Sequence, residues 1–240
     1  MKKATRALAA MVLMTALVFV AGCKKDDNNN NSGDNPGGGT YNGHEYVDLG
    51  LPSGTLWATC NVGATTPEGY GDYFAWGETQ PKSYYDWRTY RYCNGDYNQL
   101  TKYCFNSNFG YNGFTDNLTV LQPTDDAATA NWGSGWRMPT WEQWEELDQY
   151  TTSTWTTRNG VNGELFTATN GNKLFLPAAG IRLGSSLNNA DSYGDYWSSS
   201  LYDFPDDAWT LVFGSEVYDM GGGNRGYGLS VRPVRSAGKN

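Results

Sequence analysis

Trp132-Gly133-Ser134-Gly135-Trp136-Arg137-Met138-Pro139-Thr140, running into Trp141-Glu142-Gln143-Trp144-Glu145-Glu146-Leu147, holds the clearest helix start in the chain. Thr140 suits an N-cap and Gln143, three residues on, completes a capping box. Pro139 closes the extended segment before it. Trp141, Trp144 and Leu147 recur at i, i+3 and i+6, while Glu142, Glu145 and Glu146 occupy the other faces. The spacing predicts a short helix that buries two indoles and turns carboxylates to water. Upstream, Pro123 to Ala130 reads as a second short helix, with Thr124 at its cap and Asp125 and Asp126 in the first turn.

Outward from these helices the chain reads as strands and loops. Tyr46 to Leu49, Thr55 to Cys60 and Tyr73 to Trp76 are short apolar runs bounded by Gly and Pro. Leu165 to Thr169 and Asn172 to Leu176 flank Asn170-Gly171, a strong hairpin signal. Tyr196 to Ser200, Ala208 to Phe213 and Leu229 to Val234 complete the set. The expectation is α+β: short, mostly antiparallel strands, two short helices and long loops, in one domain over residues 43–235 with a tail at 236–240.

Before the domain, Lys2, Lys3 and Arg6 precede an apolar run from Leu8 to Val20, too short to span a membrane. Residues 1–22 read as a signal peptide. Its end, Phe19-Val20-Ala21-Gly22-Cys23, resembles a lipobox, which implies lipidation at Cys23 and a lipid anchor. Lys24-Lys25-Asp26-Asp27 resembles an export tag to the outer face of the outer membrane. The Asn-, Gly- and Ser-rich stretch from Asn28 to Thr40 has nothing to bury, so residues 23–42 read as a lipidated, disordered tether. Without Lys2, Lys3 and Arg6, 14 basic residues stand against 25 acidic ones, a net −11, which argues against nucleic acid as a partner.

Several motifs together resemble the Fibrobacter succinogenes major paralogous domain family. They are His44 to Gly54 (HEYVDLGLPSG), Trp57 to Ala64 (WATCNVGA), Gly71 to Glu78 (GDYFAWGE), Trp136 to Thr140 (WRMPT), Leu176 to Gly180 (LPAAG), Tyr196 to Ser199 (YWSS) and Ser230 to Val234 (SVRPV). The resemblance spans nearly the whole domain. It implies a bacterial surface lipoprotein with a fold similar to the C-type lectin-like fold shared with formylglycine-generating sulfatase-modifying factors. It implies no particular activity.

The chemistry is sparse. One histidine, His44, cannot supply a multi-histidine metal site, and the family relatives' C-terminal cysteines have no counterpart after Cys104. The Glu-Pro-Asn or Gln-Pro-Asp tripeptide of calcium-dependent lectins is missing; Gln122-Pro123-Thr124 lacks the final acid. Asp203, Asp206 and Asp207 share one loop, which reads as solvated, with calcium as the alternative. Cys93 and Cys104 can close a short disulfide loop, while Cys60, between Trp57 and Val62, reads as a buried free thiol.

Aromatic residues make up 15% of the chain, many of them between Glu78 and Leu121. Tyr84, Tyr85 and Trp87 there are the candidate ligand-binding rings, the alternative being a secondary core. The expected function is a non-enzymatic surface lipoprotein that binds a glycan or protein. A carboxylate-dependent carbohydrate-active enzyme and a structural subunit of a surface or fimbrial assembly are the other readings.

Overall fold

The computed structural model describes residues 37–237. β1 (Gly39–Tyr41), β2 (His44–Asp48), β3 (Thr55–Ala58) and β14 (Val234–Ser236) form one antiparallel sheet in the order β1-β2-β3-β14. A second sheet takes β4 (Tyr73–Phe74), β10 (Tyr193–Leu201), β11 (Asp207–Gly214), β12 (Tyr218–Asn224) and β13 (Leu229–Ser230). Its order is β12-β11-β10-β13-β4, with one parallel pairing between β10 and β13. β5 (Thr151–Arg158), β6 (Val161–Ala168) and β7 (Lys173–Pro177) make a third sheet, and β8 (Ile181–Leu183) pairs with β9 (Ser186–Asn188). The fold is α+β, mostly antiparallel, with two short helices, α1 (Ala127–Trp132) and α2 (Trp141–Tyr150). No helix among the described residues is long and apolar enough to cross a membrane.

α2 starts where the capping box places it, and Gln143 Oε1 accepts the Thr140 N–H at 3.1 Å. Its apolar face is narrower than the i, i+3, i+6 count suggests. Trp144 and Leu147 are buried, but Trp141 is half-buried and stacks on Trp209 at 5.2 Å between ring centres. The other helix departs from expectation. Pro123–Asp125 is a separate 3-10 turn, and Asp126, not Thr124, caps α1, its side chain accepting from Thr129 N–H at 2.9 Å. The break has a cause in Asp125: its carboxylate is drawn inward by Lys102 (2.6 Å), Tyr103 (2.6 Å) and Tyr92 (2.7 Å).

The five-stranded sheet separates two apolar clusters, and β10 feeds both because successive side chains leave opposite faces. Tyr196, with Leu211 and Phe213, joins Trp57, Trp144 and Leu147 on the α2 side. Trp197, with Ala208 and Leu229, joins Trp76, Trp136 and Tyr103 on the other. Asp195 lies on the Trp197 side. Its Oδ1 is shut away from solvent without a hydrogen-bond partner, and burial pushes the carboxyl up to about 7.

Four expectations need correction, two at the domain's edges and two at its cysteines. Residues 39–41 are not tether but strand β1, because Tyr41 packs under the Arg235 guanidinium (3.9 Å) and edges onto Trp136. The C-terminal strand runs on to Ser236, so the domain closes one residue beyond 235. Cys93 and Cys104 are free. Each thiol instead turns to a local carbonyl, Cys93 to Trp87 O at 3.0 Å and Cys104 to Asn106 O at 3.2 Å. The buried Cys60 is no free thiol either: it is disulfide-bonded. Cys23 and the rest of the expected signal peptide and tether, up to residue 36, lie outside the described residues.

Candidate ligand-binding face

The long segment between Glu78 and Leu121 has almost no regular structure, yet it is built into the core. Tyr85, Tyr90, Tyr92, Leu100, Tyr103 and Cys104 are all buried in the cluster around Trp76. One residue outside the segment ties it down. Arg225, fully buried, donates to Lys102 O (2.9 Å), Tyr103 O (2.9 Å), Pro205 O (2.6 Å) and the Tyr90 hydroxyl (3.0 Å). Its guanidinium also lies over the rings of Trp76 (4.9 Å), Tyr90 (5.3 Å) and Tyr103 (5.9 Å). A buried guanidinium is tolerated where its donors are satisfied, and here carbonyls and ring faces do so without a carboxylate.

This packing separates the three expected ligand-binding rings. Tyr85 is 1% exposed, with its hydroxyl on Tyr73 O and its ring filling the space beside Gly228, so it belongs to the core and cannot meet a ligand. Trp87 is half-buried and edges onto Tyr90 at 5.3 Å. Tyr84 alone is open, 41% exposed, with Arg88 over its ring and donating to its hydroxyl. The secondary-core alternative describes most of the segment.

A set of rings comes together elsewhere, at the turn between β10 and β11, within the Tyr202 to Asp207 loop that the sequence offers as an alternative binding face. Tyr202 N–H donates to Asp207 O (3.2 Å) and Asp207 N–H to Phe204 O (3.0 Å), closing a tight turn with Phe204, 58% exposed, at its tip. Tyr202 meets Trp209 edge to face at 4.6 Å and tilts toward Phe204 at 6.3 Å. Trp209 in turn stacks on Trp141 from α2 at 5.2 Å and 19°. Across the ladder Trp209 pairs with Gly222, where a Cβ would sit 2.6 Å from the Tyr202 ring. Glycine in β12 is therefore what lets Tyr202 lie against the strand. Trp141, Tyr202 and Trp209 remain half-buried, so their ring surfaces reach solvent together with Phe204.

The surroundings of this face are acidic. Asp206 and Asp207 both have carboxyls raised by burial, Asp207 to about 6, with the neighbouring Asp206 charge adding to it. Asp203, Asp206 and Asp207 are not gathered into a calcium site. Among the described residues no group of three His, Cys, Asp or Glu side chains is placed to hold a metal ion, and Asp206 spends its backbone carbonyl on Arg225 N–H. His44 is packed away from this face, stacked on Trp132 at 3.7 Å with burial lowering its proton affinity.

Comparison of the chain with protein-family models, with curated proteins and with solved structures returned no match. The resemblance to the major paralogous domain family thus rests on the motifs quoted above.

Proposed function

We propose that the protein is a lipid-anchored surface lipoprotein, tethered at Cys23 to the outer membrane, whose C-type lectin-like domain binds a glycan or protein ligand without turning it over. The observation that carries the binding role is the half-exposed run Trp141–Trp209–Tyr202–Phe204. Rings held by stacking, on a backbone strand and a capped helix, are pre-organised, so a ligand orders little on arrival. This face replaces Tyr84, Tyr85 and Trp87 as the candidate site.

Screening against arrayed glycans and extracellular proteins tests it. Phe204→Ala and Trp209→Ala are expected to weaken whatever ligand is found at least tenfold, the loss of a hot-spot ring being worth about 2 kcal/mol or more. Phe204→Ala, at the exposed turn, should leave the melting temperature within a few degrees. Hydrolysis of an arrayed glycan would favour the carbohydrate-active enzyme, and a ladder of oligomers the structural subunit. For the anchor, Cys23→Ala should shift the protein from membranes to the soluble fraction or leave its precursor uncleaved. Unchanged acylation and retention would remove the lipid from the reading.

A further inference from the structure

We infer that the aromatic face and the free edge of β12 together take an extended, lysine- or arginine-rich polypeptide segment, which adds as a sixth strand beside β12. The inference deepens the reading of the Trp141 to Phe204 face as the ligand site and depends on it.

The edge is the first observation. Among the described residues β12 ends the five-stranded sheet and pairs with β11 alone, so the backbone groups on its other side are open to a partner strand. Sheet edges are commonly blunted with Lys or Pro, and Tyr218–Asn224 has neither. It carries Gly221-Gly222-Gly223 instead, and a Cβ on Gly221 would find nothing within 4 Å. Those three residues place no side chain of their own in the way of an incoming backbone. An extended peptide can pair with such an edge, whereas a glycan has no N–H and C=O ladder to offer it.

The second observation is register. Gly222 lies across from Trp209 and against Tyr202, so a strand laid along β12 brings alternate side chains level with those rings.

Charge is the third, and it selects the side chains. Residues 139–149 and 200–224, which build the face and the edge, contain nine Asp and Glu and no Lys or Arg. The next cation along the chain, Arg225, is buried and committed to carbonyls and rings. Cationic side chains therefore meet ring faces and carboxylates, and acidic ones meet repulsion.

Titration of the full chain with decalysine, decaglutamate, a glucosamine hexamer and a glucose hexamer tests this by tryptophan fluorescence and by amide exchange at Gly221–Gly223. Decalysine is expected to bind, to slow exchange at those glycines at least tenfold, and to weaken with salt. Asp203→Lys combined with Glu145→Lys, both at exposed positions, should weaken it at least tenfold, while Asp96→Lys, exposed and outside the acidic stretches that build the face and the edge, should not. Binding of decalysine that is indifferent to the double variant, or that leaves the β12 glycines exchanging freely, overturns the inference. Preference for either sugar hexamer overturns it too, but keeps the aromatic face as the site. If no probe binds while Phe204→Ala and Trp209→Ala still abolish binding in the ligand screen, the inference fails and the proposed function stands. If those variants also change nothing there, both fail.

Discussion

Trp144→Ala is expected to lower the unfolding free energy by about 3 to 5 kcal/mol in a urea titration, the range for removing a large aromatic from a core. The indole is 1% exposed, 4.6 Å from the Trp57 ring and 6.2 Å from Tyr196. Its N–H reaches Trp197 O on the central sheet at 3.4 Å, so the substitution opens a cavity and also orphans part of a backbone acceptor. Three elements meet at this one ring: β3 through Trp57, β10 through Tyr196, and the helix itself. They cannot close the cavity without moving a sheet. A loss below about 1 kcal/mol would mean that the helix face is not held as described.

Asp195→Asn is expected to stabilise the protein at pH 8, and the gain should vanish below about pH 4. The sign follows from the raised proton affinity. Burial lifts the folded-state carboxyl to about 7, against an ordinary value of 3.8, with a hydrogen bond from Thr210 opposing it in part. Below the ordinary value the carboxyl is protonated whether folded or unfolded, and ionisation costs the fold nothing. As pH rises through the window up to about 7, the unfolded chain releases the proton while the folded one retains it, so stability falls across that window. One pKa unit is about 1.4 kcal/mol, which caps the cost of the carboxylate near 4 kcal/mol; relaxation and water entry make 2 to 4 kcal/mol the expected range. Melting curves of both proteins from pH 4 to 8 would show the difference growing with pH. Parallel curves would show that Asp195 finds a partner on ionising.

How much of this was legible in the sequence depended on whether a residue's role was local. Thr140 and Gln143 cap α2 because both partners lie within four residues, and Asn170-Gly171 makes its turn for the same reason: Gly171 takes the left-handed conformation, φ 84°, that glycine adopts freely. β5 and its partner β6 were only half visible. Thr151–Arg158 shows partly exposed, unpatterned Thr and Ser, and the Asn159-Gly160 turn between them went unread although both residues have positive φ. β12 could not be read at all, since Gly221-Gly222-Gly223 has no strand propensity. Gly222 and Gly223 answer to Tyr202, Thr210 and Trp197, rings and a methyl brought in from the β10–β11 turn and the neighbouring strands. Tyr84 and Tyr85 are neighbours in a segment without periodicity, and only the long-range pairing of Tyr85 with Gly184 turns one outward and the other into the core. The Tyr202 to Asp207 loop was legible as a candidate, but its union with Trp209 and Trp141 was not, because Trp141 and Trp209 are 68 residues apart and meet only through the packing of α2 on the sheet.

Arg225 grips the long segment by the Lys102 and Tyr103 carbonyl oxygens, of a kind every amino acid possesses, and by the Tyr90 and Tyr103 rings already committed to the core. Such a clamp is blind to the identity of the side chains that point away from it. Tyr97, Phe105, Tyr111 and Phe114 are all at least 36% exposed and take no part in the clamp. Mutation can rewrite those positions without untying the segment, so one scaffold can carry many outer surfaces. The chain thereby separates heritable architecture, fixed by one arginine and a few rings, from a margin open to diversification.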